Sequence, residues 1–257
     1  MKKKLTKLLA LMPYAIRYGL GPMRARIKLL ERSKSPRVEH PSQSPYFSQN
    51  GQDAFIIEEL FPGKNRGFFV DIGANDGVTF NNTYALEKKG WRGLCIEPHP
   101  VVFNILRRNR LCDCICAAAL GSGAEHALEF WKISAPQIEN CMLSGFPKFM
   151  NSFQTDRIQH LLASGAASKE DVQVPILNLG EHLLRGAHET SPDLICIDVE
   201  GAEWGILIDL LNKGVRPSVF CIENNELHYL LCYEMHKRGY SLKAIKGGDE
   251  IYACMKP

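Results

Sequence analysis

Short, almost wholly apolar runs alternate with helix-like segments through most of the chain, and this alternation limits the fold more than any other feature. Strands that are buried on both faces lack polar alternation, and a strand–helix–strand rhythm places parallel strands in one sheet. We therefore predict an α/β fold with a mostly parallel sheet and helices on both faces. The predicted strands are Phe68–Ile72, Gly93–Ile96, Cys112–Leu120, Leu128–Ile133, Val172–Leu177, Asp193–Val199 and Ser218–Glu223.

Two regions depart from this rhythm. Ser241–Ile245 and Glu250–Met255 flank a Lys-Gly-Gly-Asp turn, which predicts a C-terminal hairpin that adds an antiparallel strand to the sheet edge. Residues 134–170 are irregular and carry several aromatic side chains, so we predict an insertion or lid over a site, with surface helices as the alternative. The predicted helices are Asn82–Lys89, Val101–Asn109, Leu179–Leu184, Ala202–Leu211 and Glu226–Lys237.

The basic residues concentrate at the N-terminus. Residues 1–40 carry 11 Lys and Arg against 2 Asp and Glu, whereas the rest of the chain carries 20 against 26. An acidic body argues against nucleic acid as a partner. Apolar residues at helical spacing predict a basic amphipathic helix that lies on an anionic membrane surface, docks a partner, or packs on the domain. The longest uncharged run, Leu8–Ile16, is too short to cross a bilayer.

We therefore expect an arm and linker over residues 1–45 and one domain over 46–257. The nine cysteines are odd in number and scattered, which favours a reducing compartment. The expected location is the cytoplasm, with membrane association at its cytoplasmic face as an option. Cys112, Cys114 and Cys116 alternate on one strand face, but no CxxC or histidine partner accompanies them, so a structural role is favoured over metal binding.

The turn after the first predicted strand, Gly73-Ala74-Asn75-Asp76-Gly77, predicts a nucleotide-like ligand because glycine lets the backbone approach closely. A dinucleotide site would carry GxGxxG, and the carboxylates of Asp71 and Asp76 would repel a diphosphate. They suit a cation such as S-adenosylmethionine instead. Glu97 follows Gly77 by 20 residues, where an acid binds ribose hydroxyls.

A second group of acids lies where the later strands end, the edge at which ligands bind in such sheets. Asp198 ends one strand, with Glu200 and Glu203 behind it, and Glu223 and Asn224 end the next. Two hypotheses stay open. Asp198, with Glu200 or His228 as further candidates, acts as a base, or Asp198, Glu223 and Asn224 hold Mg²⁺ that acidifies the group acted on. His99 is a weaker base candidate.

Four segments, in this order, resemble the successive motifs of FkbM-type methyltransferases: SQNGQDAF from Ser48, GFFVDIGANDGVTFNNTYALE from Gly67, GWRGLCIEPHP from Gly90 and LICIDVEGAE from Leu194. The resemblance extends from Tyr46 to Asn225, with Asn81 where the family often has serine. It implies a Rossmann-like class I methyltransferase fold and S-adenosylmethionine-dependent O-methylation of sugars or natural products. The cofactor-binding residues it implies are Asp71, Gly73, Ala74, Asn75, Gly77, Asn82, Thr83, Glu97, Pro98, Ala118 and Asp198.

The expected acceptor is a hydroxyl of a sugar, a glycan or glycolipid, or a related metabolite. NAD-dependent oxidoreduction is disfavoured by the GANDG turn. A non-catalytic partner or scaffold on the same fold is the remaining alternative, although it predicts a damaged cofactor site, and the motif residues are all present.

Overall fold

The computed structural model describes residues 20–32, 44–120, 127–134, 152–185, 191–199, 201–224 and 230–255. The described strands are β1 Phe68–Ile72, β2 Arg92–Ile96, β3 Asp113–Ile115, β4 Ala118–Leu120, β5 Ala127–Ser134, β6 Ser168–Asn178, β7 Leu194–Ile197, β8 Val219–Glu223, β9 Tyr240–Lys246 and β10 Asp249–Cys254. The described helices are α1 Gly21–Arg32, α2 Gln52–Phe55 with a π-helical turn Ile56–Leu60, α3 Tyr84–Lys88, α4 Pro100–Asn109, α5 Ser152–Ala163, α6 Leu179–Arg185, α7 Glu203–Asn212 and α8 Leu231–Lys237.

Seven strands form the main sheet in the order β3-β2-β1-β7-β8-β10-β9. The five strands from β3 to β8 are parallel, whereas β10 pairs antiparallel with both β8 and β9. The prediction of a mostly parallel sheet with an antiparallel C-terminal hairpin is confirmed. Because the parallel strands run in one direction, their carboxyl ends gather the predicted site residues at one edge.

The strands are apolar because the sheet is covered on both faces. All five residues of β1 and all four of β7 are buried. One core packs around Val70 and Ile195 on one face, and a second packs around Phe69 and Cys196 on the other. Successive residues of one strand therefore pack into opposite cores, so the strands lack a regular alternation of polar and apolar residues.

A second, three-stranded sheet in the order β4-β6-β5 corrects the predicted single strand Cys112–Leu120. The chain bends at Ala117, so β3 stays in the main sheet while β4 pairs with β6. Strands β5 and β6 pair antiparallel along eight residue pairs from Ala127↔Pro175 to Ser134↔Ser168. Within the predicted insertion, α5 packs Ile158 against Ile133. Residues 135–151 lie outside the described residues.

Helix α1, which the sequence assigned to the arm, packs on α8 and β9. The guanidinium of Arg26 contacts the Glu250 carboxylate at 2.5 Å, and both side chains are almost fully buried. The opposite face of α1 exposes Leu20, Ile27 and the basic residues Arg24 and Lys28. In the described part of the chain, no helix has the length and apolar character needed to cross a membrane.

Candidate active site

The chain turns sharply where β1 ends and forms the β1 loop (Gly73–Thr83). Gly73 has a φ of 83°, a left-handed conformation that glycine adopts without a Cβ clash. The amides of Gly73 and Ala74 both donate to the Ile96 carbonyl, at 2.9 and 3.1 Å. A Cβ placed on Gly73 would overlap the carbonyl oxygen of Asp198. The β1 loop therefore lies directly against the ends of β2 and β7.

The two carboxylates near this turn hold the loop in shape. Oδ2 of Asp71 accepts hydrogen bonds from Asn81 Nδ2 at 2.9 Å and from Thr83 Oγ1 at 2.7 Å, and Asp71 is 4% exposed. Oδ1 of Asp76 accepts from the Thr79 amide at 2.7 Å, as in a turn closed by an aspartate side chain. These oxygens bind the loop itself, and the attraction of a cation by the two carboxylates stays a prediction.

Arg110 joins the loop to the next layer of structure. Its Nη1 donates to the Gly77 carbonyl at 3.1 Å and to Asn81 Oδ1 at 3.2 Å, and its Nη2 donates to Thr83 Oγ1 at 3.0 Å. Its Nε lies 3.1 Å from Glu87 Oε2, and the Arg110 side chain is 0% exposed. Arg110 is therefore the buried support of the β1 loop.

Glu97 directly follows β2 and faces the same loop. It is buried, its Oε2 accepts from the Asn75 amide at 3.0 Å, and its Oε1 accepts from the His99 amide at 2.8 Å. Burial raises the pKa of Glu97 to about 7, although the two amide hydrogen bonds act to lower it. Because each carboxylate oxygen carries two lone pairs, both retain acceptor capacity. Ribose binding by Glu97 stays a prediction.

His99 caps helix α4. Its Nδ1 accepts from the amides of Val101 and Val102 at 3.2 and 3.5 Å, and its imidazole is buried. Burial, aided by the charge of Lys132, lowers the pKa of His99. The imidazole therefore ends α4 beside Glu97, and the structure gives no support to a role as base at the acceptor.

Asp198 directly follows β7 and is exposed at the edge of the sheet. Its amide donates to the Ile72 carbonyl at 3.0 Å, which fixes it beside the start of the β1 loop. Glu203, by contrast, accepts from the amides of Val199 and Gly201 at 3.1 and 2.9 Å and stabilises the turn before α7. The other predicted bases, Glu200 and His228, lie outside the described residues.

The predicted magnesium ligands are not supported as a set. Asn224 is 6% exposed and its Nδ2 donates to Glu250 Oε1 at 2.8 Å, so its amide faces the Arg26–Glu250 pair. Glu223 ends β8 and is partly buried. Among the described residues, no group of three or more His, Cys, Asp or Glu side chains is arranged to hold a metal ion.

A buried polar junction lies at the same edge of the sheet. Gln52 Nε2 donates to Asp249 Oδ2 at 2.8 Å, and Asn82 Nδ2 lies 3.4 Å from the same oxygen. Burial raises the pKa of Asp249. The Oδ1 of Asn82 is buried and has no hydrogen-bond partner among the described residues. The motif around Gln52 thus folds back over the strand ends.

The structure therefore brings the β1 loop, Glu97 and Asp198 to one edge, whereas Ala118 of β4 is buried in the apolar core that the second sheet shares with the main sheet. Sequence reasoning missed Arg110 and Asp249, because each meets its partners across 23 residues or more. Among the residues that hold the β1 loop, only the role of Asn81 could have been recognised from the sequence, because asparagine is favoured just before a helix. Its Oδ1 accepts from the Tyr84 amide at 2.8 Å.

Comparison with known proteins adds a family match. Residues 71–242 match the model of the methyltransferase FkbM domain. No curated protein matches the chain.

Solved structures that the chain resembles include a TehB-like SAM-dependent methyltransferase from Corynebacterium glutamicum, at 11% identity, covering 80% of this chain and 88% of that chain, with a TM-score of 0.37. Another is precorrin-6y C5,15-methyltransferase from Geobacter metallireducens, at 10% identity, covering 85% and 94%, with a TM-score of 0.38. A third is the ribosomal protein L11 methylase from Lactobacillus delbrueckii, at 11% identity, covering 80% and 78%, with a TM-score of 0.37. These scores are too low to inform on substrate.

Proposed function

The chain belongs to the FkbM methyltransferase family, and we propose that it methylates a hydroxyl oxygen of a sugar, a glycan or glycolipid, or a related metabolite. Family membership makes it an S-adenosylmethionine-dependent methyltransferase. The acceptor class and the methylated atom are the proposal. One observation carries it: the β1 loop, predicted to bind the methyl donor, packs directly against Asp198, predicted to act on the acceptor.

The residues at this edge fit the methyl donor. Gly73 lets the chain turn sharply where β1 ends, which brings the β1 loop to the edge of the sheet where a ligand would bind. Glu97 has lone pairs for ribose hydroxyls, and the unpartnered Oδ1 of Asn82 suits an ammonium. When bound, S-adenosylmethionine supplies a methyl group already activated on a sulfonium. The residues that would hold it are Gly73, Ala74, Asn75, Gly77, Asn82, Glu97 and Pro98, with Asp71 and Thr83 supporting the loop from beneath.

The acceptor side must orient a hydroxyl and take up its proton. A reacting oxygen must approach to about 3 Å in line with the bond being broken, and a sugar hydroxyl is a weak nucleophile until a base accepts its proton. Asp198 is the exposed carboxylate nearest the β1 loop by backbone contact. We assign it as the general base, with Glu200 and His228 as the alternatives.

The experiment is a screen for transfer of labelled methyl groups from S-adenosylmethionine to sugar, glycan and lipid-linked acceptors. We expect a hydroxyl acceptor to be labelled, and Asp198→Ala to lose about 10²- to 10⁴-fold in turnover while it still binds the donor. Asp156→Ala, on α5, is the control for loss of a carboxylate elsewhere. Unchanged turnover in Asp198→Ala would remove this residue from the mechanism.

The alternative, in which Mg²⁺ held by Asp198 and its neighbours acidifies the hydroxyl, has its own test. On that alternative, EDTA abolishes turnover and added Mg²⁺ restores it. On the general-base mechanism, turnover is insensitive to both.

Residues 1–30 are proposed to contact an anionic membrane surface, which would place the enzyme near lipid-linked acceptors. The support is the outward face of α1, where Leu20, Arg24, Ile27 and Lys28 recur at helical spacing. Such a stripe combines apolar burial with attraction to anionic headgroups. A cytoplasmic location is part of the same proposal.

A further inference from the structure

One row of residues across the main sheet carries four thiols that methyl transfer does not use. The register aligns Cys114 of β3 with Cys95 of β2, Cys95 with Asp71 of β1, Asp71 with Cys196 of β7, and Cys196 with Cys221 of β8. The row lies beneath the β1 loop, on the face of the sheet from which Arg110 and Asp71 support that loop. All eight cysteines in the described part of the chain are free thiols.

Two of these thiols, Cys95 and Cys114, form a cluster with Cys112 at the β2–β3 end of this row. The sulfurs of Cys95 and Cys112 lie 3.5 Å apart. Cys95 and Cys114 are direct partners on neighbouring strands, which are about 4.8 Å apart, within the range of Cα separations that a disulfide spans. Cys95 is 0% exposed, whereas Cys112 and Cys114 are only partly buried. A small oxidant therefore has access to the β3 side of the cluster.

The surroundings of the cluster favour a thiolate. The neighbouring thiols of Cys112 and Cys95, with the nearby charge of Arg110, lower the pKa of Cys114 to about 4, and the Cys114 Sγ lies 3.5 Å from the Cys112 carbonyl oxygen. The thiolate is the form of cysteine that reacts with peroxides. Cys95, by contrast, has its pKa raised by hydrogen bonding to the other two thiols and by burial, so it remains a thiol.

We propose that Cys114 and Cys95 form a peroxide-sensitive site that closes to a disulfide between β3 and β2. The Cys114 thiolate attacks hydrogen peroxide, the O–O bond breaks, and a sulfenic acid forms as the released hydroxide takes a proton to become water. The sulfur of Cys95 then attacks the Cys114 sulfur, the S–O bond breaks, and the hydroxyl leaves as water with the Cys95 proton. Two thiols lose two electrons, and one peroxide is reduced to two waters.

The site is coupled to the β1 loop through Glu87. The amide of Cys112 donates to Glu87 Oε2 at 3.1 Å, and the amide of Leu111 donates to Glu87 Oε1 at 3.2 Å. Glu87 in turn pairs with Arg110, which holds the loop. A disulfide that draws the start of β3 towards β2 would disturb this chain of contacts. We expect oxidation to weaken binding of the methyl donor about tenfold, within the usual range for coupled sites. This part rests on the proposed function.

The chemical test treats the full chain with a small excess of hydrogen peroxide, blocks the remaining thiols, and searches a tryptic digest by mass spectrometry. We expect Gly93–Arg107 to be linked to Leu111–Lys132, with the link removed by dithiothreitol. The link should disappear in Cys114→Ser and persist in Cys112→Ser. No link under conditions that oxidise the exposed Cys254 would overturn the site, and a link that persists in Cys114→Ser would overturn the role of that thiol.

The functional test measures S-adenosylmethionine affinity before oxidation, after it, and after reduction with dithiothreitol. Cys254→Ser is the control that keeps the site intact, and Cys114→Ser should bind the donor equally before and after peroxide. An unchanged affinity in fully cross-linked protein would overturn the coupling. Reduced wild-type protein that fails to bind the donor would count against the proposed function alone, because the cross-link is detected without any ligand.

Discussion

Gly73 has two separate reasons to be glycine. Its φ of 83° is unfavourable for any residue with a Cβ, and the position such a Cβ would take is filled by the carbonyl oxygen of Asp198. Gly214 has nearly the same φ, 85°, but open space around its missing side chain. A comparison of the two glycines therefore separates the cost of conformational strain from the cost of a steric clash.

We predict that Gly73→Ala lowers the free energy of unfolding by about 4 kcal/mol, because the strain of a left-handed alanine and a backbone clash add together. Gly214→Ala should cost only about 1–2 kcal/mol, the strain alone. Urea denaturation measures both. Equal losses in the two variants would show that the contact between Gly73 and Asp198 is not as close as described.

The pKa of Glu97 leads to a prediction of how the affinity for the methyl donor depends on pH. With its pKa at about 7, Glu97 is mostly ionised above neutrality and mostly protonated below it. Only the carboxylate accepts hydrogen bonds from two ribose hydroxyls, so affinity should be highest at high pH and fall as pH decreases through 7. The dissociation constant should rise about tenfold from about pH 8 to about pH 6, in proportion to the lost carboxylate.

Calorimetry across this range checks the effect, and Glu97→Gln is the matched control because it reveals any titration of the ligand itself. The variant should bind more weakly and follow a flatter profile. A wild-type profile that superimposes on that of Glu97→Gln would exclude Glu97 from the donor site.

At the scale of elements, the strands could be predicted from the sequence, but the pairing between them could be predicted only in part. Because β1 and β7 are fully buried, their sequences are largely apolar runs, and these runs predicted the two strands. The bend that places β4 in a second sheet could not be predicted, because Cys112–Leu120 has the composition of one continuous strand.

The site divides in the same way. The glycines and Glu97 follow strands at fixed spacing, which local sequence displays. The contact between Arg110 and Gly77, however, joins positions 33 residues apart and depends on how α4 packs. Because only the tertiary structure buries Arg110, its local sequence does not distinguish it from the exposed arginines beside it.

Arg110 supports a prediction about the junction of α4, α3 and the β1 loop. Removing one member of a buried ion pair leaves the other charge uncompensated, so Arg110→Met should lower the free energy of unfolding by about 3–5 kcal/mol. Arg108→Met, two positions away and exposed, should change it by less than about 0.5 kcal/mol. Chemical denaturation of both variants decides, and equal effects would contradict a supporting role for Arg110.

Helix α1 supports a prediction about the membrane. Leu20→Glu with Ile27→Glu should reduce sedimentation with vesicles rich in anionic lipid, because both side chains lie on the exposed face. Leu111→Glu is the control, since Leu111 is 96% exposed in the bend between α4 and β3. Binding that is unchanged in the double variant, or lost equally in the control, would contradict a membrane-facing α1.

At the scale of the whole molecule, the two halves of the proposed reaction converge on one edge of one sheet. The β1 loop and Glu97 lie over β1 and β2, and Asp198 lies over β7, the strand directly next to β1. Family membership implies the methyl donor, and on the proposed function the acceptor binds beside it. The Gln52–Asp249 junction ties the segment before β1 to the C-terminal hairpin, so both ends of the domain contribute to this edge.

The most direct test of this account is calorimetric titration of the purified chain with S-adenosylmethionine and, separately, with NAD. We predict saturable binding of S-adenosylmethionine at one site per chain, weakened in Glu97→Gln, and no detectable binding of NAD. Binding of NAD, or no binding of S-adenosylmethionine to folded protein, would contradict it.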